Sequence, residues 1–165
     1  LHLSLRRQRQ MCIRDSLRPA SRLLITDPDD RVLLFYFEHR TGALAGQSYW
    51  ATPGGGVEDG ESFEAAAIRE LWEETGIQVT EVGAQIAQRR LVLQMLDGEY
   101  VNEDERYFRI RVADTRLSKS GWSANEVACM TAHHWWSRTE LEQTTEQVWP
   151  EDLLAMLQAS DTTHA

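Results

Sequence analysis

The order of strand and helix patterns along this 165-residue chain predicts a single domain of the α+β sandwich class. Short segments rich in apolar and aromatic residues lie on both sides of one amphipathic helix pattern. A second, apolar helix pattern lies near the end of the chain. The apolar fraction of 42% and the charged fraction of 26% are ordinary values for a folded globular domain.

Three strands are predicted before the central helix, at residues 21–26, 32–37 and 49–52. The turn sequence Asp27-Pro28-Asp29-Asp30 separates the first two strands, and their nearly unbroken apolar character predicts a buried hairpin. Residues 38–48 are predicted as a loop. The third strand leads directly into a glycine-rich segment at residues 53–57.

The segment after the central helix contains three more strand patterns. They are residues 80–94, interrupted near Gly83, residues 106–113 and, as the last strand, residues 131–136. Asp97-Gly98 marks a turn, and residues 115–125 are predicted as a loop. Thr139 is predicted to cap a short helical turn. Pro150 fits the first position of a C-terminal helix that ends near residue 158.

The central helix is predicted to begin after Ser62 and to end before Gly76, because these residue types suit an N-cap and a left-handed C-terminal position. At 100° per residue, Glu70, Glu73 and Glu74 share an arc of about 100°. Acids at this density repel one another unless a cation lies between them, and hard oxygen ligands suit Mg²⁺ or Mn²⁺. The alternative is a solvated acidic helix face.

The opposite side of this helix carries Leu71, Trp72 and Thr75, which are predicted to pack into a core. The glycines at residues 54–56 let a ligand approach the main chain, and their carbonyl oxygens can complete a metal shell. Acids and glycines at this spacing point to metal-assisted chemistry on phosphates.

Residues 55–77 resemble the Nudix box, and the pattern is filled without a gap. The matching residues are Gly55, Glu61, Arg69, Glu70, Leu71, Glu73, Glu74, Gly76 and Ile77. The flanking residues 49–58 also resemble bacterial members of that family, and the likeness extends more loosely over residues 19–158. The resemblance sharpens the fold prediction to an α/β/α sandwich with a mixed β-sheet between helices.

The resemblance implies an enzyme that hydrolyses a pyrophosphate bond in a nucleoside diphosphate linked to another group, with Mg²⁺ or Mn²⁺ as cofactor. It implies that Arg69 orients the helix acids and that Glu61 supports this network. The implied metal ligands are Glu70, Glu73, Glu74 and a main-chain carbonyl of Gly54 or Gly55. The general base is left open between Glu70, Glu74 and a later loop acid, for which the candidates are Glu126 and, more weakly, Glu103 and Glu105.

The predicted substrate contacts are Tyr36 and Trp50 for a base, and Arg40 or Arg106 for a phosphate. Phe37 and Tyr49 are also aromatic, but core packing is the preferred interpretation for both. Some Nudix subfamilies carry a proline or a tyrosine downstream of the box as a marker of their substrate. This chain has Leu93, Gln94 and Met95 at those positions, so both markers are absent. This favours a (deoxy)nucleoside triphosphate or an oxidised nucleotide as substrate. ADP-ribose, a nucleotide sugar and a non-catalytic nucleotide sensor stay open.

The net charge of −9 argues against a binder of polymeric nucleic acid, so a small nucleotide is the predicted partner. No apolar run approaches the length of a membrane span. Cys12 and Cys129 have no metal-ligand spacing and suggest a reducing, cytoplasmic location. A homodimer is left open.

The first 20 residues contain five arginines and one acid, unlike the acidic remainder. Residues 9–16 resemble translated sequencing-adaptor read-through. The hypothesis is therefore that residues 1–18 are a non-core segment of artefactual origin and that residues 19–160 form the Nudix hydrolase domain.

Overall fold

The computed structural model describes the backbone of residues 13–162 and the side chains of residues 17–162. The strands of this part of the chain are β1 (Ile13–Thr26), β2 (Val32–Glu38), β3 (Ser48–Ala51), β4 (Gly54–Gly56), β5 (Gln85–Gln94), β6 (Tyr100–Arg111), β7 (Met130–Trp136) and β8 (Val148–Trp149). The helices are α1 (Phe63–Thr75), α2 (Ala124–Cys129), α3 (Arg138–Gln143) and α4 (Leu153–Thr162).

The strands form one mixed sheet with the order β5-β6-β1-β2-β3-β8, in which β4 also pairs with β1 and β7 with β2. The pairs β1–β6 and β3–β8 are parallel, and the other pairs are antiparallel. Helix α1 packs on one face and α4 on the other. The predicted α+β sandwich with a mixed sheet between helices is confirmed.

Alternation along β1 divides the core into two layers. Leu23 and Ile25 face α1 and contact Leu71, whereas Leu24 faces α4 and packs in the layer that contains Leu157. All of these side chains are buried, and burying one such apolar side chain contributes about 1.5–3 kcal/mol. Both faces of β1 are therefore apolar, which explains the unbroken pattern seen in the sequence.

The predicted hairpin of the first two strands is wrong except next to the turn, where the two strands do pair. β1 and β2 pair at Thr26 and Val32 and then separate, because β2 runs between β3 and β7. Asp27 orders the turn, since its Oδ1 accepts the backbone N–H groups of Asp29 at 3.0 Å and Arg31 at 2.8 Å. The turn was predicted correctly, but the strand pairing was not visible locally.

Several other strands and helices begin or end a few residues away from their predicted boundaries. The strand expected from residue 80 begins at Gln85, and the strand expected from residue 106 begins at Tyr100, because parallel pairing with β1 extends β6. The strand predicted as last is followed by β8. Helix α3 is capped by Ser137, whose side chain accepts the N–H of Glu140, rather than by Thr139. Helix α4 begins after Pro150 and reaches residue 162.

A charged clamp joins α4 to the rest of the domain. It consists of Asp30, Arg109, Arg138 and Asp161. Asp30 accepts hydrogen bonds from Arg109 Nη2 at 2.8 Å and from Arg138 Nη2 at 2.7 Å. Asp161, on α4, accepts from Arg138 Nη2 at 2.6 Å and from Arg109. The clamp therefore fixes α4 to β6, α3 and the turn after β1.

The prediction for residues 1–18 lies largely outside the described residues, as does Cys12. The backbone of β1 from Ile13 onward pairs with β6, with Ile13 opposite Tyr100 and Leu17 opposite Asn102. The hypothesis that residues 1–18 are a non-core segment of artefactual origin stays a prediction. Within residues 13–162, none of the helices has the length and apolar character needed to cross a membrane.

Candidate metal centre

Helix α1 places the acids through local capping that the sequence predicted. Ser62 Oγ accepts the N–H of Ala65 at 3.0 Å, and Gly76 adopts φ 75° and donates its N–H to the carbonyl of Trp72 at 2.8 Å. The face buried against the sheet includes Glu70 and Glu74 as well as apolar residues, and these acids are only 7% and 3% exposed.

Trp72 was predicted to lie on the core face of this helix, and this prediction is wrong. Its side chain is 49% exposed, whereas Leu71 and Thr75 are buried as predicted. The sheet covers the arc that runs from the acids to Thr75, and Trp72 lies beyond that arc on the solvent side. The acids are therefore buried between the helix and the glycine-rich strand.

Three carboxylates meet at this position. Oxygen atoms of Glu70, Glu74 and Glu126 all lie within 4.8 Å of one another, and we call these three residues the acid cluster. Glu126 was predicted on a loop but lies in the first turn of α2, where a capping box with Ser123 fixes it. Its Oε2 accepts the N–H of Ser123 at 2.6 Å. The structure thus brings a residue from a distant segment to the helix acids.

The glycines of β4 allow the backbone to approach the cluster closely. Glu74 Oε2 accepts the N–H of Gly54 at 2.7 Å. A Cβ at residue 55 would lie 2.4 Å from Glu70 Oε1, so a side chain there would displace this carboxylate. Gly54 has φ 132°, and a Cβ there would lie 2.2 Å from the carbonyl oxygen of Ser21. Gly54 and Gly55, whose main-chain carbonyls were predicted as metal ligands, therefore lie next to the acids.

Arg69 connects the acids at the edge of the cluster. It donates to both carboxylate oxygens of Glu61, at 2.9 and 3.0 Å, and to Glu70 Oε1 at 2.7 Å. It also contacts Glu73 Oε2 at 3.2 Å and the carbonyl of Gly56 at 2.9 Å. The predicted pairing of Arg69 with Glu61 is present. Glu73 points to Arg69 and is not a member of the acid cluster.

Burial determines the electrostatics of the cluster. It raises the pKa of Glu70, and burial together with the charge of Glu70 raises the pKa of Glu74 well above its ordinary value. Hydrogen bonds from Arg69 instead lower the pKa of Glu61. Among residues 17–162, no Lys, Arg or His nitrogen lies within 4.0 Å of the carboxylates of Glu74 or Glu126. The cluster therefore has an excess of negative charge.

A cavity of about 450 Å³ opens beside the cluster, and Gly54, Glu74 and Glu126 form part of its wall. Its remaining wall combines aromatic, aliphatic and cationic side chains. They include Phe37, Tyr49, Tyr107, Trp149, Leu91, Leu93, Arg22 and Arg89. The rings of Phe37 and Tyr49 are stacked with centroids 5.5 Å apart. An anionic molecule with an aromatic ring would find complementary groups here.

The four predicted substrate contacts do not line this cavity. Tyr36 and Trp50 pack against each other at 5.0 Å, on the sheet face opposite to Phe37 and Tyr49, because successive strand residues alternate. Arg40 pairs with Glu38 in an exposed loop.

Arg106, the fourth of these contacts, lies over the ring of Phe63 at 3.9 Å. The sequence showed the aromatic pairs on β2 and β3 but not which pair faced the site.

A second group of acids lies on β6, and one of its members, Glu105, lines the same cavity. Glu103 and Glu105 were predicted as exposed loop acids, but they are 0% and 5% exposed and lie on a strand. Glu103 accepts from Arg18 Nη1 at 3.0 Å and from Arg22 Nη2 at 2.8 Å. Glu105 accepts from Arg22 Nε at 3.0 Å and pairs with Arg89 Nε at 3.3 Å. These arginines were not predicted; the spacing of Arg18 and Arg22 on β1 was the available signal, and Arg89 lies on β5.

The family assignment follows from a comparison that covers most of the chain. A family model described as the NUDIX domain matches residues 16–157. The chain belongs to the Nudix family. This confirms the resemblance inferred from residues 55–77.

The Nudix relatives differ in how much of each chain they share. Nudix hydrolase 25 of Arabidopsis thaliana is 29% identical over 102 residues, covering 55% of this chain and 58% of that protein. An RNA pyrophosphohydrolase of Roseobacter denitrificans is 39% identical over 71 residues, covering 38% of this chain and 44% of that protein. The chain thus spans about half the length of these curated relatives.

Solved structures support the Nudix fold over nearly the whole chain. The MutT protein of Methanosarcina mazei Go1 matches with a TM-score of 0.59 at 23% identity, covering 90% of this chain and 95% of that chain. The NUDIX domain of Shewanella oneidensis NrtR, solved in complex with ADP ribose, matches with a TM-score of 0.60 at 15% identity, covering 92% and 91%. At these identities the likeness shows the fold alone.

Proposed function

We propose that this Nudix protein hydrolyses a phosphoanhydride bond in a derivative of a nucleoside diphosphate, with Mg²⁺ or Mn²⁺ as cofactor. The observation that carries the proposal is the acid cluster, whose oxygens lie within 4.8 Å of one another and two of whose members, Glu74 and Glu126, line a cavity of about 450 Å³. The names of the curated relatives, a Nudix hydrolase and an RNA pyrophosphohydrolase, support the reaction class.

The residues present fit a divalent cation. Glu70, Glu74 and Glu126 supply hard oxygen donors, and the carbonyl oxygens of Gly54 and Gly55 are adjacent candidates. The glycine backbone leaves room beside Glu70 that a side chain would fill. When bound, the cation would polarise a phosphoryl oxygen and lower the pKa of a bound water. It would also reverse the negative local field, so that an anionic substrate is attracted to the site.

The remaining box residues have supporting roles in this proposal. Arg69 holds Glu70 from one side and anchors itself on Glu61, which keeps the carboxylate of Glu70 turned toward the cluster. Glu73 shares Arg69 and so contributes by holding the arginine in place. Direct coordination of the cation by Glu73, which the resemblance to the Nudix box implies, remains part of the proposal.

Glu126 is our preferred general base. It lines the cavity on a different helix from the other two acids, and it is the less buried member of the cluster. A carboxylate in that position can accept a proton from the attacking water while Glu70 and Glu74 hold the cation. Glu103 and Glu105 are disfavoured as bases because arginines already occupy their oxygens.

The cavity favours a small nucleotide as substrate. Its volume of about 450 Å³ lies within the range of small-molecule sites, which is about 300–1,000 Å³. Arg89 supplies positive charge for phosphate oxygens, and the Phe37–Tyr49 stack and Trp149 supply surfaces for a base. We propose a (deoxy)nucleoside triphosphate or an oxidised nucleotide, with ADP-ribose and nucleotide sugars as the second candidates.

A substrate panel tests this proposal directly. Phosphate and pyrophosphate release are measured from nucleoside triphosphates, oxidised nucleotides, ADP-ribose, a nucleotide sugar and a short RNA with a 5′-triphosphate, each with Mg²⁺ and with a chelator. Metal-dependent release from a small nucleotide is the expected result. Release confined to RNA would overturn the small-nucleotide assignment. Binding without release would identify a nucleotide sensor, and the absence of both would overturn the proposed function.

A further inference from the structure

Arg22 lies on β1 at the wall of the cavity and donates hydrogen bonds to three acceptors. Its Nη2 contacts Glu103 Oε1 at 2.8 Å, its Nε contacts Glu105 Oε1 at 3.0 Å, and its Nη1 contacts the carbonyl oxygen of Gly54 at 3.2 Å. The guanidinium is planar and rigid, so two carboxylates that hold one edge also fix the direction of the remaining N–H groups. Arg22 is therefore held against the glycine-rich strand.

Gly54 links Arg22 to the acid cluster. Arg22 and Gly54 are register partners on β1 and β4, and the Gly54 N–H donates to Glu74 Oε2 at 2.7 Å. The close approach of Gly54 to the carbonyl of Ser21 leaves its backbone little room to move. The two polar backbone groups of one glycine thus contact Arg22 through the carbonyl and Glu74 through the N–H.

We propose that Arg22 is a positioning residue for the metal centre. It orients the Gly54 carbonyl as an oxygen donor and, through the same glycine, holds the carboxylate of Glu74 in the geometry that binds the cation. The inference rests on the proposed function. Groups that orient metal ligands in this way commonly change metal affinity by about 10- to 100-fold when they are removed.

Charge balance explains how an arginine can stand beside a cation site. Arg22 is paired with both Glu103 and Glu105, and its side chain is 21% exposed. The two carboxylates offset its positive charge, so it need not repel a divalent cation near Glu74. A lone arginine at this position would compete with the metal for the acid cluster.

Two double variants separate positioning from general stability. Arg22→Gln with Glu103→Gln removes one positive and one negative charge, and it leaves Glu105 paired with Arg89. The matched control is Arg18→Gln with Glu103→Gln. Arg18 also pairs with Glu103, at 3.0 Å, but within residues 17–162 its side chain donates to Glu103 and Met95 and not to Gly54, so the control keeps the contact of Arg22 with Gly54. Arg22→Lys is a third variant, which keeps the charge but lacks the rigid planar fork of the guanidinium.

Mn²⁺ binding to the nucleotide-free protein is measured by the electron paramagnetic resonance signal of free Mn²⁺, together with kcat and KM for the substrate found in the panel. We expect the Arg22 double variant to bind Mn²⁺ at least about tenfold more weakly. Its kcat should fall while KM changes little. The control should stay within about twofold of the parent, and Arg22→Lys should shift in the same direction as the double variant.

Four results would overturn the inference. Equal Mn²⁺ affinity of the two double variants would show that Arg22 does not position the ligands. A raised KM with unchanged Mn²⁺ affinity and kcat would assign Arg22 to substrate binding instead. Failure of the parent protein to bind Mn²⁺ would overturn the proposed function and this inference with it. If the Arg22 double variant does not fold, the Mn²⁺ affinity of Arg22→Lys decides, and a value equal to that of the parent overturns the inference.

Discussion

The acid cluster and the acids of β6 both contribute to the wall of the cavity, through Glu74, Glu126 and Glu105, but they differ in what surrounds them. Within residues 17–162, Glu70, Glu74 and Glu126 pair with one arginine, Arg69, and that arginine is shared with other acids. Glu103 and Glu105 each pair with two arginines. Both groups are acidic in the sequence, but only the first leaves negative charge for a cation to balance. Arginine pairing, and not the number of acids, therefore distinguishes a metal site from a structural network.

The largest expected effect is the loss of turnover when the cluster is altered. Glu70→Gln keeps the size of the side chain and its capacity to accept from Arg69, but it removes a charge from the cluster. We expect kcat to fall by about 10²–10⁴-fold, because cation binding and proton transfer both depend on these carboxylates. The change in the free energy of unfolding should stay within about 1 kcal/mol, since a like-charge contact is also relieved. Steady-state kinetics and urea denaturation provide both values.

A magnesium titration gives this variant an independent control. Saturation at about 100 times Kd stabilises a protein by about 2.7 kcal/mol. The parent should show this stabilisation and Glu70→Gln should not. Near-normal turnover in Glu70→Gln would contradict the assignment of the cluster.

The reverse outcome is expected for the acids of β6. Glu103→Gln leaves Arg18 and Arg22 with one buried partner fewer, and Glu103 is fully buried. Breaking a buried ion pair from one side costs about 3 kcal/mol, so the urea midpoint should fall clearly. Stabilisation by Mg²⁺ should persist, because the acid cluster is intact. If Glu103→Gln instead lost the stabilisation by Mg²⁺ and kept its urea midpoint, the distinction between a metal-binding cluster and a structural network on β6 would be wrong.

The smallest effect on stability is expected for a change in the clamp, whose residues pair with arginines but do not line the cavity. Hydrogen bonds from Arg109 hold the pKa of Asp161 below its ordinary value. A depressed pKa in the folded protein contributes stability that is present above the unfolded value, near 3.8, and is lost as the pH falls through the folded value. Asp161→Asn should therefore lower Tm slightly at pH 7 and have less effect near pH 3.

Asp161 is partly exposed, so solvent screening keeps this contribution small. Asp59→Asn, at an exposed loop position, is the matched control and should change Tm little at either pH. Equal effects of the two changes at pH 7 would show that the clamp contributes nothing measurable.

Local features of the site could be predicted from the sequence, whereas features set by strand pairing could not. The caps at Ser62 and Gly76 depend on a few neighbouring residues, and both were correct. The contact of Arg69 with Glu61 also follows from a helix and the short segment before it. Trp72 was misplaced because helix periodicity alone does not tell how far the sheet extends around α1.

The remaining differences have a common physical origin in long-range pairing. Glu103 and Glu105 appeared as loop acids because their arginine partners lie on β1 and β5, more than 15 residues away in the chain for each pair. The faces of β2 and β3 could not be assigned because alternation fixes which residues share a face, but not which face lies at the site. The sequence analysis preferred Tyr36 as a substrate contact and Phe37 as a core residue, but in the folded chain Phe37 lines the cavity and Tyr36 does not.

The position of Trp149 and Pro150 has a consequence for how this domain could diversify. Both line the cavity, and they lie shortly before α4, whose far end is held by the clamp. The acids in the cavity wall come from α1, α2 and β6, whereas Trp149 and Pro150 come from the last strand and the segment that leads into the last helix. Exchange of this C-terminal portion between paralogues would offer a route to altered ligand scope that leaves the hydrolytic apparatus untouched.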